Sequence, residues 1–513
     1  MNVKAISANV GKALLVSALF MFLSLVVSIV YGLDDAFTPL LISFIITLIT
    51  GSFPFIFVRG QQQLTLKDGF MTIVLSWLLS FVFGMLPYVL YGGEFTLINA
   101  WFESVSGFTT TGSTILNDIE ALPKSLLFWR SSTHYIGGLG VVVFLLLVIP
   151  EASPFRLKLT NMEMSSLSKE GYRYKSSKVV KIITLVYFSL TVGALLSLWA
   201  AGMPFFDALN HAFSIAATGG FSTRNLSIGA YESDLINFIV LIFMMLCAMH
   251  FGLIYAVFAT RSLKPLKNSV TSYYFGSIAV MSVIIMFSLM YSGDYDSWGK
   301  AMMDSAFTVV SYMSTAGFAI CDNSLWPWLA GVVLLFVSFQ CGCAGSTTGG
   351  IKVDRIVIAL KAVGNEIRHR LHPTSVSQAR MSGQYLDGSA VHSVLMYIVV
   401  YFIVIFLSII AVILCGSDTT EAVSGVIASV GSVGPGLGEL GSLENYSLQP
   451  PMAKFIYTFD MFLGRVEIYP VLIAISMIFR RNRRWEKAIF FIPVFSPAFL
   501  SIRLRVRTTF LGR

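Results

Sequence analysis

Ten stretches of this chain, near residues 11–32, 37–58, 71–92, 127–150, 180–201, 235–260, 275–293, 328–362, 393–415 and 455–479, are long and apolar. Each approaches the about 20 residues that a helix needs to cross a bilayer. Inside hydrocarbon a segment must satisfy its own backbone hydrogen bonds, so each stretch predicts an α-helix. Only 12% of the 513 residues are charged, against about 25% in soluble domains. The expected fold class is therefore an all-α, polytopic membrane protein. The first apolar run ends at "YGLDDA" without a small-residue cleavage signature, so it reads as an anchor and not as a removed signal.

A net charge of +8 invites a nucleic-acid reading, but the distribution of charge argues against it. Segments 152–181, 261–267, 352–380 and 480–513 hold 7, 3, 6 and 9 Lys/Arg, 25 of the chain's 35. The alternate loops 94–124, 202–234, 294–322 and 418–454 hold 15 Asp/Glu against 4 Lys/Arg. This is the positive-inside asymmetry, which predicts that the first set and both termini are cytoplasmic. The basic excess reports topology, and no nucleic-acid partner is expected. Cys247, Cys321, Cys341, Cys343 and Cys415 form no disulfide framework, and Cys341-Gly-Cys343 is too short for the usual zinc spacing. No disulfide, structural metal or cofactor is expected.

A long-period repeat runs through the acidic loops. Between spans lie "NAWFESVSGFTTTGST" (99–114), "DALNHAFSIAATGGFST" (207–223), "DSAFTVVSYMSTAGFA" (304–319) and "EAVSGVIASVGSVGPG" (421–436). Asn99, Asp207, Asp304 or Glu421 opens each segment, and thirteen residues later comes Gly112, Gly220, Gly317 or Gly434. The opening residues suit a helix N-terminus. About ten helical residues then reach only partway into the about 30 Å hydrocarbon core, so the chain must return as extended backbone. Irregular backbone at that depth is tolerated only in a protein interior or along a wet cavity. Four re-entrant segments thus predict four pore-lining units about a pseudo-fourfold axis.

The clusters at their tips would supply main-chain carbonyls: Thr110, Thr111 and Gly112; Thr218, Gly219, Gly220 and Phe221; Thr315, Ala316, Gly317 and Phe318; Ser432, Val433, Gly434 and Pro435. Rings of this kind replace the hydration shell of a monovalent cation, with glycine where a side chain would turn the carbonyl away. An uncharged, hydroxyl-rich lining suits K⁺ better than Ca²⁺ or Mg²⁺. The competing reading, small residues serving only helix packing, explains one cluster more easily than four in register.

With "SGFTTTGST", "LLFWRSSTHYIGGLGVVV" (126–143), "TGGFST", "STAGF", "GCAGSTTGGIKVDR" (342–355) and "MFLGRVEIYP" (461–470), the chain resembles the Trk/Ktr/HKT superfamily of potassium transporters. Its two extra N-terminal spans favour the bacterial Trk branch. The resemblance covers nearly the whole chain to about residue 485. It implies a K⁺-conducting subunit of the bacterial cytoplasmic (inner) membrane, forming a homodimer with one pore per protomer. A cytosolic ring of nucleotide-binding subunits is implied as regulator. Glycine at every filter position accompanies K⁺ selectivity in that family, and this chain has all four. The units expected are a two-span N-terminal unit (1–70), pore repeats at 71–150, 151–267, 268–365 and 366–485, and an extension at 486–513. The apolar part of that extension is too short to span, and an interfacial segment or an atypical tail both remain open.

The strip "CGCAGSTTGGIK" (341–352) interrupts the eighth apolar stretch. It is not a phosphate cradle: from Gly345 the second glycine falls at 350, but Ile351 displaces Lys352 and Val353 replaces the required hydroxyl. Residues 328–340 rise about 20 Å as a helix, about two-thirds of the hydrocarbon core, which puts the strip inside the membrane below the filter. Gly345, Ser346, Thr347, Thr348, Gly349 and Gly350 cannot hold a stiff helix, so the strip reads as a gate; the resemblance implies the same. Arg465 lies about 15 Å into the last span, where a charge faces a cavity or a partner. Carbonyls of 341–350 are one candidate acceptor, and a cross-helix pair with Asp460 or Glu467 is the other.

Glu103, Arg224, Arg130, His134 and His211 read as solvated, helix-packing or helix-anchoring residues. The basic segments 169–181 and 366–380 suit anionic lipid headgroups or a soluble partner. A secondary transporter with an occluded site is the alternative function, but its repeats usually alternate in topology, whereas these four run the same way. An intramembrane enzyme would need paired acids, a Ser/Lys dyad or a His-based metal motif within the spans, and the sequence offers none.

Overall fold

The computed structural model describes residues 2–58, 65–148, 176–293, 295–373, 380–381 and 384–479. The extension 486–513 and most of the basic segment 169–181 lie outside the described residues. Helices α1 (Val3–Val30) and α2 (Phe37–Phe57) pack against each other. A Cβ on Gly11 would lie 2.6 Å from the Gly51 carbonyl oxygen, the close backbone approach that small residues permit between membrane helices. Their buried hydroxyls fold back on their own helices: Ser24 donates to the Phe20 carbonyl (2.9 Å) and Thr47 to that of Ser43 (2.7 Å). Each hydroxyl thereby enters an apolar interface without an orphaned donor.

Four units follow. The first comprises α3 (Leu66–Gly84) with the short α4 (Leu86–Tyr91), the short α5 (Leu97–Thr109) and α6 (Lys124–Val148). The second has α7 (Ser176–Ala200), the short α8 (Phe205–Ala217), α9 (Asp234–Cys247) and α10 (Phe251–Thr260). The third has α11 (Ser269–Ser292), the short α12 (Trp298–Met313), α13 (Trp328–Gln340) and α14 (Val353–Leu371). The fourth has α15 (Gly388–Leu414), the short α16 (Thr419–Gly431), α17 (Pro451–Arg465) and α18 (Tyr469–Phe479). A two-residue antiparallel ladder, Arg380↔Tyr385 and Met381↔Gln384, precedes α15.

Packing closes the units into a ring. Helix α6 of the first unit packs on the short α8 of the second, α9 on α12, α13 on α16, and α17 of the fourth returns to α5 of the first. Two apolar cores reflect the same order. One joins the second and third units; the other joins the N-terminal pair with the first and fourth.

Two expected spans are not continuous. The stretch 235–260 is two helices bent by 100°, and 455–479 breaks between α17 and α18, where Glu467 and Ile468 take φ of 61° and 49°. Six described helices are long and apolar enough to cross a bilayer, or seven with the bent pair counted as one. The four short helices α5, α8, α12 and α16 are longer than the about ten residues expected of them, at 13, 13, 16 and 13 residues. Asn99, Asp207 and Glu421 sit in their first turns, but Asp304 does not, because α12 already starts at Trp298. Instead Asp304 accepts a hydrogen bond from the Tyr295 hydroxyl at 2.8 Å.

A ring of four strained turns

Each of the four short helices is followed by a left-handed residue, which is the cap itself in α5, α8 and α16 and lies one place past the cap Ser314 in α12. Thr110, Thr218, Thr315 and Ser432 take left-handed φ values of 54°, 55°, 54° and 54°. The next residue's N–H then closes back on the helix: Thr111 to the Ser106 carbonyl (3.0 Å), Gly219 to Ser214 (2.8 Å), Ala316 to Ser311 (2.9 Å) and Val433 to Ala428 (2.8 Å). This satisfies helix-end carbonyls much as a glycine cap does, yet three of the four left-handed residues are β-branched. Such residues are costly in this region, at about 1–3 kcal/mol each, and persist only where their surroundings hold them.

Two places past each left-handed residue comes a glycine at positive φ: Gly112 (86°), Gly220 (88°), Gly317 (66°) and Gly434 (101°). A Cβ on Gly112 would strike the carbonyl oxygen of Gly219; on Gly220, that of Ala316; on Gly317, that of Val433; on Gly434, that of Thr111. The four contacts form one closed circuit through the repeats. Only glycine meets both demands, positive φ and a neighbour's carbonyl where a side chain would begin. The four glycines line one cavity with Phe221 and Pro435. At its mouth Arg224 pairs with Glu120 (3.0 Å) and Asp207 (3.3 Å). A hydrogen bond from Asn225 holds the Asp118 carboxyl below its ordinary pKa.

On the opposite side of the ring lies the strip 341–352. Thr218 Oγ1 donates to Thr347 Oγ1 (3.2 Å), and the Gly349 N–H to Thr315 Oγ1 (3.4 Å). A Cβ on Gly349 would meet Gly431 and Ser432. The buried hydroxyls of Thr110 and Ser432 have no hydrogen-bond partner among the described residues. Arg465, 2% exposed, donates to the Thr347 carbonyl and, at 3.1 Å, to the Gly137 carbonyl. Asp460 accepts from Ser408 instead (2.7 Å), and Glu467 pairs with Lys352 (3.6 Å) and Arg355 (2.8 Å).

Comparison with known proteins identifies the chain. The TrkH family profile, described as a cation transport protein, matches residues 38–487. The chain belongs to the TrkH family. Among its relatives, the Trk system potassium uptake protein TrkH of Escherichia coli (strain K12) is 34% identical over 389 residues, 75% of this chain and 80% of the relative. TrkG of the same organism, also named a Trk system potassium uptake protein, is 33% identical over 389 residues with the same coverage. The crystal structure of the potassium transporter TrkH from Vibrio parahaemolyticus superposes with a TM-score of 0.83 at 31% identity, covering 92% of this chain and 98% of that one. As a TrkH-family protein the chain is a multi-pass membrane transport subunit and not an enzyme.

Within this TrkH-type frame, the residues singled out in the four clusters lie together around one cavity or directly behind it, and the strip abuts three of the four left-handed residues. Sequence reasoning gave the residues packed behind the ring only a packing or anchoring role. Arg130 and His134 are not simple helix anchors. His134 stacks on Phe221 with centroids 4.0 Å apart and meets Ser214 at 3.1 Å, while the Arg130 guanidinium lies 4.2 Å from the Phe221 centroid. With Gly137 and Gly138, which a Cβ would drive into Phe108 and Ala217, they form one stripe of α6. The available signal was the i, i+4, i+7, i+8 spacing of "RSSTHYIGG", a helical face with polar residues at membrane depth.

Proposed function

We propose that this TrkH-family subunit takes K⁺ up across the bacterial cytoplasmic membrane through the glycine ring, which acts as its selectivity filter. The carrying observation is the closed circuit of glycine-to-carbonyl contacts from four equivalent turns. Carbonyls converging in this way replace water around a monovalent cation. Four re-entrant helices end at the ring, each adding the negative end of its dipole, about half an elementary charge. The free hydroxyls of Thr110 and Ser432 offer further oxygen on the inner side. The names of the relatives, potassium uptake proteins, agree with this choice of ion.

The gate is the strip Gly345–Gly350 with Arg465. Leaning on Thr218 and Thr315, the strip occupies the path below the ring. Arg465 holds it by its carbonyl and adds a positive charge that repels K⁺. From the strip α14 runs on to its basic end, Arg368, His369 and Arg370. A cytosolic nucleotide-binding ring pulling there would withdraw the strip, with anionic lipid as a second ligand for the same charges. A homodimer with a pore in each protomer, and cytoplasmic termini, complete the proposal.

The test is flux into liposomes with ion replacement. Rb⁺ or K⁺ uptake should follow the K⁺ gradient and voltage alone, and Na⁺ should replace K⁺ poorly. Uptake that needs a second, co-transported ion would overturn the channel-like reading.

A further inference from the structure

The seam between the first two repeats differs from the others. Arg130, 1% exposed, and Glu103, fully buried, form an ion pair with Nη2 and Oε1 2.7 Å apart and Nε and Oε1 2.8 Å apart. Glu103 also accepts from the Thr114 hydroxyl (3.1 Å) and the Ile115 N–H (3.2 Å). Arg130 reaches the Thr114 hydroxyl (3.3 Å) and the Ser222 carbonyl (3.3 Å). Thr114 and Ser222 are equivalent positions, each two residues past a ring glycine. One guanidinium therefore clasps the same step of two neighbouring filter segments. Within the second repeat His211, at the position equivalent to Glu103, supports Ser222 from its own helix at 3.0 Å.

Beside the ring itself, the contacts described across the other seams are neutral. Charged contacts between those units, Glu467 with Lys352 and Arg355, Arg465 with Gly137 and Lys454 with Asn99, lie away from the ring glycines. Gly229 donates to the Ala319 carbonyl (3.1 Å) between the second and third repeats, and the Tyr312 hydroxyl to Gly436 (3.2 Å) between the third and fourth. Ser113 donates to the Gly434 carbonyl (3.0 Å) between the fourth and first. A buried ion pair is a poor way to gain stability, because desolvation consumes most of the attraction. It is well suited to fixing a distance, since charge-assisted hydrogen bonds are short and directional.

We infer that Arg130 and Glu103 are positioning residues for ion selectivity, setting the width of the ring between the first and second repeats. This rests on the reading of the ring as the filter. The pair acts as a unit, so losing either member frees both segments. Glu103→Gln, Arg130→Gln and the double variant should then lower K⁺ over Na⁺ discrimination by about the same factor, about tenfold, rather than additively.

The measurement is the reversal potential under bi-ionic K⁺/Na⁺ conditions, on variant protein that elutes as the folded species. Arg130→Lys, which keeps charge but loses the fork, serves where Arg130→Gln fails to fold, and should also lose discrimination. Gly220→Ala is measured in parallel. If it alters discrimination while folded Glu103 and Arg130 variants keep the parent ratio, or lose it additively, the brace is overturned and the filter stands. If Gly220→Ala also leaves the ratio unchanged, both readings fail.

Discussion

At residue scale, the chain places side chains where the backbone resists them and omits side chains where the backbone needs room. Thr and Ser residues at positive φ are held by buried packing, and the following glycines leave no volume for a Cβ. Gly112→Ser should therefore push the Gly219 carbonyl off its position. The expected outcome is about a tenfold loss of K⁺ over Na⁺ discrimination, equivalent to about 1.4 kcal/mol, read from reversal potentials. Unaltered selectivity would mean that the ring does not contact the ion. Arg465→Gln removes the charge while keeping part of the hydrogen-bonding capacity toward Thr347. It should raise flux without its regulator several-fold while leaving ion preference intact; unchanged flux in folded protein would remove Arg465 from the gate.

At the scale of elements, three helix breaks meet. The strip between α13 and α14 is held at one end by the bend between α9 and α10, where the Cys343 N–H donates to the Ala248 carbonyl (2.9 Å) and Phe251 to that of Gly345 (3.2 Å). At the other end Glu467, in the break after α17, holds Lys352 and Arg355. Each break thus satisfies backbone or charge that another exposes, which membrane depth demands. Glu467→Gln leaves two cations facing a neutral amide, at a cost of about 1–3 kcal/mol. It should loosen the strip, seen as a lower Tm and higher flux before the regulator is added. Deleting 345–350 should raise flux further, and a folded deletion variant with parental flux would dismiss the strip as the gate.

Across the whole molecule, the cyclic packing of α6 on α8, α9 on α12, α13 on α16 and α17 on α5 makes the ring a property of the entire bundle. An ion bound there should stabilise every unit at once. A ligand held only by the native state adds about 2.7 kcal/mol at a hundredfold excess over its Kd. Unfolding of the detergent-solubilised protein should accordingly shift upward with K⁺ and much less with Na⁺ at equal ionic strength. Equal shifts from both salts would argue for a nonspecific effect.

Much of this was legible from the amino-acid order alone. Apolar length marks most of the spans, and the constant distance from Asn99, Asp207, Asp304 or Glu421 to a glycine marks the four turns, because these depend on local chemistry repeated along the chain. The break in "CGCAGSTTGGIK" was visible for the same reason, since glycine disfavours helix whatever surrounds it. The bends at "CAMHFG" and "RVEIYP" were not. The first run carries no proline and the second ends in Pro470, a breaker hidden by the apolar length of 455–479. At both breaks distant segments supply partners, Cys343 to the Ala248 carbonyl and Lys352 and Arg355 to the Glu467 carboxylate. Arg130 and Glu103 were misjudged on similar grounds, as residues 27 apart whose charges mean little until folding removes the water between them. What a segment does to its own backbone can be read in order; which buried group meets which is settled only when the repeats close.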